Sequence, residues 1–301
     1  MIVVIGSSNT DMVIKCEHLP APGETILGGD FFMNAGGKGA NQAVAAARLN
    51  GDVTFIAKVG NDVFGKEAIE LFNKENIKTE YIFIDEKNPS GIALINVDAK
   101  GENSITVAQG ANGNLLVDDI KKAESILHDA TIILVQLEIP IETIEYVATI
   151  AKQHNKKFIL NPAPACSLSD DLLSKVSIIT PNEKEASMLT GIEINNIDDA
   201  KQAAKILSAK GIKTVIITLG EDGALLYQNE QFNLIETNKV TAVDTTAAGD
   251  VFNGALAVAL SEQKNIEDAV RFANIAASIS VTRLGAQASA PYRSEPGFEG
   301  L

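Results

Sequence analysis

The chain reads as an α/β protein: a doubly wound, mostly parallel sheet flanked by helices, with a small β-sheet inserted. Three observations predict this. Short, largely apolar runs at 2–5, 53–59, 131–137, 158–160, 176–179 and 214–219 have the composition of strands buried in a parallel sheet. Helical patterns separate most of them, as βαβ units require. Polar or glycine residues (Asn9, Asp11, Glu138, Asn161, Asn182, Glu185, Gly220) recur at the carboxyl ends of these strands, where open α/β sheets gather ligands.

Composition sets the class. The 301 residues are enough for one large α/β domain or two smaller ones, and 46% hydrophobic with 21% charged residues is ordinary for a soluble globular protein. Acids outnumber bases 39 to 25, for a net charge of −14, which opposes binding to nucleic acid or anionic membrane. Cys16 and Cys166 lie far apart and outside metal-ligand spacing, so a reducing compartment is expected. With no leader-like or spanning apolar run, the expectation is a cytoplasmic protein. His18, His128 and His154 stand outside every motif, which disfavours a Ser-His-Asp or Cys-His enzyme and a histidine metal site.

The elements follow in order. The first strand, 2–5, ends in G-S-S-N-T-D (6–11), where Asn9 and Asp11 offer amide and carboxylate groups suited to hydroxyls or to an Asx turn. Residues 12–33 have no helical period. β-like pieces at 12–16, 25–27 and 30–33 flank the turn signal P-A-P-G-E (20–24). N-A-G-G-K-G-A-N-Q-A (34–43) opens a helix to about Leu49, with Lys38 and Asn41 presenting polar groups beside glycines. It is not a P-loop, because Gly39 stands where Ser or Thr would bind magnesium, and no G-x-G-x-x-G occurs anywhere.

A strand at 53–59 leads to a helix ending near Asn76 and a strand at 81–84. Runs at 90–97 and 104–107, joined by D-A-K-G-E-N (98–103), read as a hairpin of the same inserted sheet, which is built from about 9–36 and 90–109. Then βα alternation resumes: helix 117–127, strand 131–137, helix 141–154, strands 158–160 and 176–179, helices to about Ala209, and strand 214–219. A hairpin at 224–235 and helices at about 250–260 and 266–282 complete it. The tail after Tyr292, with Pro and two Gly, is expected to be irregular or disordered.

The chemistry centres on V-D-T-T-A-A-G-D-V-F-N-G (243–254). Asp244, Thr245 and Thr246 are helix-capping residue types, and Ala247, Ala248 and Gly249 let a ligand approach the backbone closely. A helix start with free N–H groups is an anion site. Asp250 within that turn is a carboxylate beside an anion hole, suited to taking a proton from an alcohol as it attacks a phosphoryl group. A capped helix with a small-residue packing face would explain this stretch alone equally well.

The series G-S-S-N-T-D, A-G-G-K-G-A-N-Q-A, L-E-I-P, N-P-A-P, T-P-N-E-K-E, T-L-G-E-D-G, D-T-T-A-A-G-D and R-L-G-A-Q-A-S resembles the ribokinase (phosphofructokinase-B-like) family of sugar and nucleoside kinases, in family order from residue 1 to about 292. The resemblance implies one α/β kinase domain over 1–301 and ATP-dependent phosphorylation of D-ribose at its 5-hydroxyl. It assigns sugar binding to Asn9, Asp11, Gly37, Lys38, Asn41 and Glu138, and the catalytic base to Asp250, with the backbone of Ala247, Ala248, Gly249 and Asp250 as the anion hole. It places Asn182, with Gly249 and Asp250, near the ATP phosphates and Glu185 as an indirect organiser of Mg²⁺. Thr218, Leu219, Gly220, Glu221, Asp222, Gly223 and Asn274 would line the adenosine. Asp244, Thr246, Ser280, Arg283, Gly285 and Ser289 match an activating K⁺ site. The inserted sheet would be a lid and a homodimer contact. The alternatives are a kinase for another small sugar or a nucleoside, or a non-catalytic sugar-binding relative.

Overall fold

The computed structural model describes residues 1–27 and 29–298. Strand β1 (Ile2–Ile5) is followed by β2 (Asn9–Lys15), β3 (Phe31–Gly36), α1 (Lys38–Arg48), β4 (Val53–Gly60), α2 (Val63–Lys74) and β5 (Ile82–Asp85). Then come β6 (Gly91–Val97), β7 (Asn103–Ala108), α3 (Val117–Lys122), α4 (Glu124–Asp129), β8 (Ile132–Val135), α5 (Ile141–Gln153) and β9 (Lys157–Leu160). The chain continues through α6 (Asp170–Leu173), β10 (Ile178–Ile179), α7 (Glu183–Thr190), α8 (Ile197–Ala209), β11 (Thr214–Thr218), β12 (Ala224–Gln228) and β13 (Gln231–Ile235). It closes with α9 (Ala248–Ser261) and α10 (Ile266–Ser280).

A nine-stranded sheet has the order β13-β12-β11-β10-β9-β8-β1-β4-β5. It is parallel from β5 to β11, and β12 and β13 add antiparallel at the end. Alternate residues feed opposite layers. Ile2, Val4, Phe55 and Leu134 pack under α1, α9 and α10, whereas Val3, Ile5, Ile133 and Phe158 pack under α5 and α8. From β1 the chain steps outward to β4 and β5, then returns to β8 on the other side of β1. Such a reversal leaves a crevice at the strand carboxyl ends.

A separate four-stranded sheet, β3-β2-β6-β7, holds the inserted segments. The 90–97 and 104–107 runs pair antiparallel as expected, and β2 joins them parallel to β6. Register places Ile14, Phe31, Met33 and Leu94 on one face, 41–58% exposed, with Asp11 on the other.

Several expectations need correcting. Residues 25–27 form no strand, because Glu24 folds back onto Ala21 and His18 and no strand runs beside them. Asn9 and Asp11 belong to β2 rather than a turn, and β3 extends through Gly36, so the first helix begins only at Lys38. The expected 117–127 helix breaks at Ala123, whose N–H turns back to Ile120. Strand 176–179 shortens to β10, and α6 forms on a Ser169 cap. The tail is irregular but packed up to its last described residue. Phe298 is buried against Phe272, and Arg283 pairs with Glu295. Residues 299–301 of the tail lie outside the described residues. Among the described residues no helix is long and apolar enough to cross a membrane.

Candidate active site

The first turn of α9 organises the site. Ala247 caps it in a left-handed conformation (φ 59°), which costs a residue with a Cβ roughly 1–2 kcal/mol. Contrary to their residue types, Asp244, Thr245 and Thr246 do not cap α9. Asp244 instead accepts the N–H groups of Thr246 and Gly285, each at 2.9 Å. Among the described residues the amide hydrogens of Gly249 and Asp250 have no protein acceptor, and a Cβ built on Gly249 would meet nothing within 4 Å. Unpaired N–H groups, the helix dipole and open space together make an anion hole.

Asp250 is buried beside it. Asn41 Nδ2 donates to its Oδ2 and Gln42 Nε2 to its Oδ1, each at 2.9 Å. The reach is short because α1 and α9 touch at Gly254, where a Cβ would lie 2.7 Å from the Gln42 carbonyl oxygen. Gln42 is wholly buried and anchors a chain of side-chain hydrogen bonds. Its Nε2 also donates to Asn161 Oδ1 (3.0 Å), and its Oε1 accepts from Gln136 Nε2 (2.6 Å). Asn161 Nδ2 donates to the Thr180 carbonyl (3.1 Å), Thr180 Oγ1 to Asn253 Oδ1 (2.6 Å), and Asn253 Nδ2 to the Gly249 carbonyl (2.8 Å). The network returns to the turn that carries Asp250, so the carboxylate is held from α1, β8, β9 and α9 together.

Sequence reasoning gave no function to Gln42, Gln136, Thr180 or Asn253, and noted Asn161 only as one of the polar residues at strand ends. The available signal was a polar residue in an otherwise apolar run, which once buried must find a partner. Asn112 was also missed. It accepts the Ser8 N–H at 2.9 Å and donates to the Ser8 carbonyl and to Asn9 Oδ1.

Charge gathers around this turn. Lys38 donates its N–H to Glu138 Oε2 at 3.1 Å, and Ser7 Oγ donates to the same oxygen. The carboxylates of Asp250, Glu138, Glu185 and Asp11 hold the Lys38 ammonium above its usual range against the opposing effect of burial. Desolvation, with Glu138 and Asp250 nearby, pushes the Asp11 carboxyl up to about 6. Desolvation likewise raises the Glu185 carboxyl. Gly37 (φ 89°) turns the chain into α1 where a Cβ would sit 2.7 Å from the Asn9 nitrogen, so glycine is required there.

Most predicted residues converge. Lys38, Asn182, Glu185, Thr218, Ala247, Ala248, Gly249 and Asp250 line one cavity of about 160 Å³, and the charges of Asp11 and Glu138 act on Lys38. Asn9 is turned toward Asn112 and lines a neighbouring cleft of about 230 Å³ with Met33 and Phe64. Thr218, Gly220, Glu221, Gly223, Gly249 and Asn274 line an adjoining cavity of about 290 Å³ walled by Phe252, Ala277 and Val281. Leu219 and Asp222 face a different groove, beside Ile194 and Leu234. Asn274 uses its amide to hold the Ile235 carbonyl at 2.7 Å.

Asn182 and Glu185 cap α7 reciprocally, each accepting the other's N–H at 2.9 Å through one side-chain oxygen. The second Glu185 oxygen has no protein partner among the described residues, so the acid fits a hydrated cation. Of the K⁺ set, Asp244 and Gly285 are joined directly, and Ser280 accepts the Arg283 N–H through its carbonyl. Burial alone would raise the Asp244 carboxyl, but the hydrogen bonds from Thr246 and Gly285 outweigh it and keep the group anionic. The Arg283 side chain turns away to Glu295, and the Ser280 and Ser289 hydroxyls bond backbone carbonyls within their own turns. Among the described residues no group of three or more His, Cys, Asp or Glu could hold a metal by itself. A weakly held cation bound to one carboxylate and backbone carbonyls fits this loop better than a transition metal.

Comparison with known proteins gives the family. The profile of the pfkB family carbohydrate kinases matches residues 1–293. The chain belongs to that family. It is similar to a ribokinase of Haemophilus influenzae, 45% identical over 98% of this chain and 96% of that one. It is also similar to a deoxyribokinase of Salmonella typhi, 39% identical over 96% and 95%. A ribokinase of Arabidopsis thaliana, solved with ribose and ATP, superposes with a TM-score of 0.90 at 34% identity, covering 97% of this chain and 96% of that one.

Proposed function

We propose that the protein phosphorylates D-ribose at O5 with ATP, giving ribose 5-phosphate and ADP. One observation carries the reading: a buried carboxylate, gripped on both oxygens by amide donors, lies in the same helical turn as unpaired N–H groups. Asp250 takes the proton of the 5-hydroxyl as that oxygen forms its bond to the γ-phosphorus and the bond from phosphorus to the β-γ bridging oxygen breaks. The N–H groups of the 247–250 turn stabilise the charge that builds on the transferred group. Asp11, Lys38, Asn41 and Glu138, with Asn9 and the Gly37 backbone, hold the remaining hydroxyls. That number of convergent polar groups rejects sugars lacking one of them.

ATP lies with its adenosine in the cavity from Thr218 to Asn274 and its phosphates near Asn182. Glu185 would organise hydrated Mg²⁺, which neutralises phosphate charge when bound. The Asp244–Gly285 loop would hold K⁺ close to the anion hole. Replacing K⁺ by tetramethylammonium is expected to lower the rate at least several-fold, and an unchanged rate removes the cation from the account. The small sheet acts as a lid that excludes water.

The apolar lid face formed by Ile14, Phe31, Met33 and Leu94 supports a homodimer through the lid. Leu94→Glu should give monomers by sedimentation, and a parent protein already monomeric at micromolar concentration would contradict the dimer. The unpaired cysteines fit a cytoplasmic protein, which cell fractionation checks.

Asp11 gives the pH dependence. Its raised value means that the fold is favoured by protonation: the stability is full below about 4 and lost as pH rises through about 6. Asp11→Asn is therefore expected to stabilise the protein at pH 7.5, by up to about 3 kcal/mol, a gain that vanishes toward pH 4 in denaturation experiments. The same substitution should raise the KM for ribose.

Carbon–phosphorus coupling in the NMR spectrum of the product tests the reaction. Phosphate on C5 is expected, and phosphate on C1 would overturn the assignment of Asp250 to the primary hydroxyl.

A further inference from the structure

At the end of the sheet away from Asp250, the amino ends of β9, β10 and β11 open into a cavity of about 670 Å³ beside the α9–α10 turn. Lys152, Lys156, Lys157, Lys175, Lys213 and Lys264 line it, and among the described residues no aspartate or glutamate does. In a chain with 39 acids and 25 bases, an average patch carries more carboxylates than cations, so this one is inverted. Elsewhere lysines are mixed: Lys58 pairs with Asp119, Lys78 with Asp52 and Lys210 with Asp170, whereas the scattered Lys66 and Lys74 have no ion pair among the described residues. Of the cavity lysines only Lys175 has an ion pair among the described residues, with Asp171. The nearby acid Asp268 is engaged by Asn265 and Arg271.

Six like charges lining one cavity with a single counter-charge, that of Asp171 on Lys175, repel each other, and an anion between them reduces the repulsion. Lys157, the first residue of β9, is partly buried. Burial alone pushes its ammonium below the usual range, with no carboxylate acting in the other direction.

We propose that this cavity is a second ligand site, distinct from the kinase centre, for a small molecule carrying at least two phosphoryl groups. Phosphoryl groups place several negative charges in a small volume, and ammonium groups bind them as point charges. The cavity volume matches one small ligand. A nucleic-acid strand is disfavoured by the net charge of −14 and by the absence of aromatic residues from the lining.

Calorimetric titration of the whole chain with inorganic pyrophosphate, in buffer without Mg²⁺, tests the site. Three proteins are compared: the parent, Lys157→Met/Lys213→Met in the cavity, and Lys66→Met/Lys74→Met on exposed α2 positions. One binding event should weaken at least tenfold in the cavity variant and persist in the α2 variant. Should the cavity variant fold poorly, Lys156→Gln/Lys264→Gln gives the same reading. Three things would overturn the proposal. One is no binding to the parent. The second is equal binding to all proteins, which places pyrophosphate at the α9 anion hole alone. The third is an equal loss in both double variants, which makes the effect one of overall charge.

Discussion

Asp250→Asn is expected to lower kcat by roughly 10²–10⁴-fold while changing the KM for sugar by no more than a few-fold. The structure explains why the variant keeps its shape. Asp250 accepts from Gln42 through Oδ1 and from Asn41 through Oδ2. An asparagine keeps the first bond with its own oxygen but turns an N–H₂ toward Asn41. The Asn41 Oδ1 is buried with no partner, so rotation of that amide presents an acceptor to the new donor. Packing against α1 is preserved, and the loss is confined to the group that takes the proton. Steady-state kinetics with a denaturation curve separate the outcomes. Turnover within a few-fold of the parent would remove Asp250 as the base.

Gln42→Leu should have the second-largest effect, in both stability and rate. It leaves Gln136 Nε2, Asn161 Oδ1 and Asp250 Oδ1 each without the partner they have now. Buried polar groups left unsatisfied cost about 1–3 kcal/mol apiece, so a total loss of at least about 3 kcal/mol is expected. Asp250 then swings on the Asn41 contact alone, and poor alignment of a base with its hydroxyl lowers kcat by about 10–100-fold. The KM for ribose should move little. The measurement is made at a temperature where circular dichroism finds the variant folded. A stability loss with unchanged kcat would make Gln42 a core residue only.

The contrast between these residues shows how far the amino-acid sequence can be read. Asp250 was legible because its signal is local: small residues, an acid and a helix start lie within a few positions of one another. The 2–5 strand matched β1 to the residue, because an apolar run followed by glycine leaves little choice of boundary. The small sheet was legible from alternation in 90–107. Gln42 was not legible in the same way. Its partners come from α9, β8 and the end of β9, and their meeting depends on the close approach of α1 to α9 at Gly254. The left-handed Ala247 was hidden for a related reason, since nothing about an alanine announces positive φ. Residues 25–27 misled because β-like composition without a neighbouring strand cannot make a ladder.

ADP release from Mg-ATP in K⁺ buffer, with ribose, deoxyribose, fructose, adenosine or no acceptor, tests the central claim most directly. Release that depends on ribose and exceeds that with every other acceptor is the expected result. Release without ribose dependence, or none with any acceptor, would contradict it.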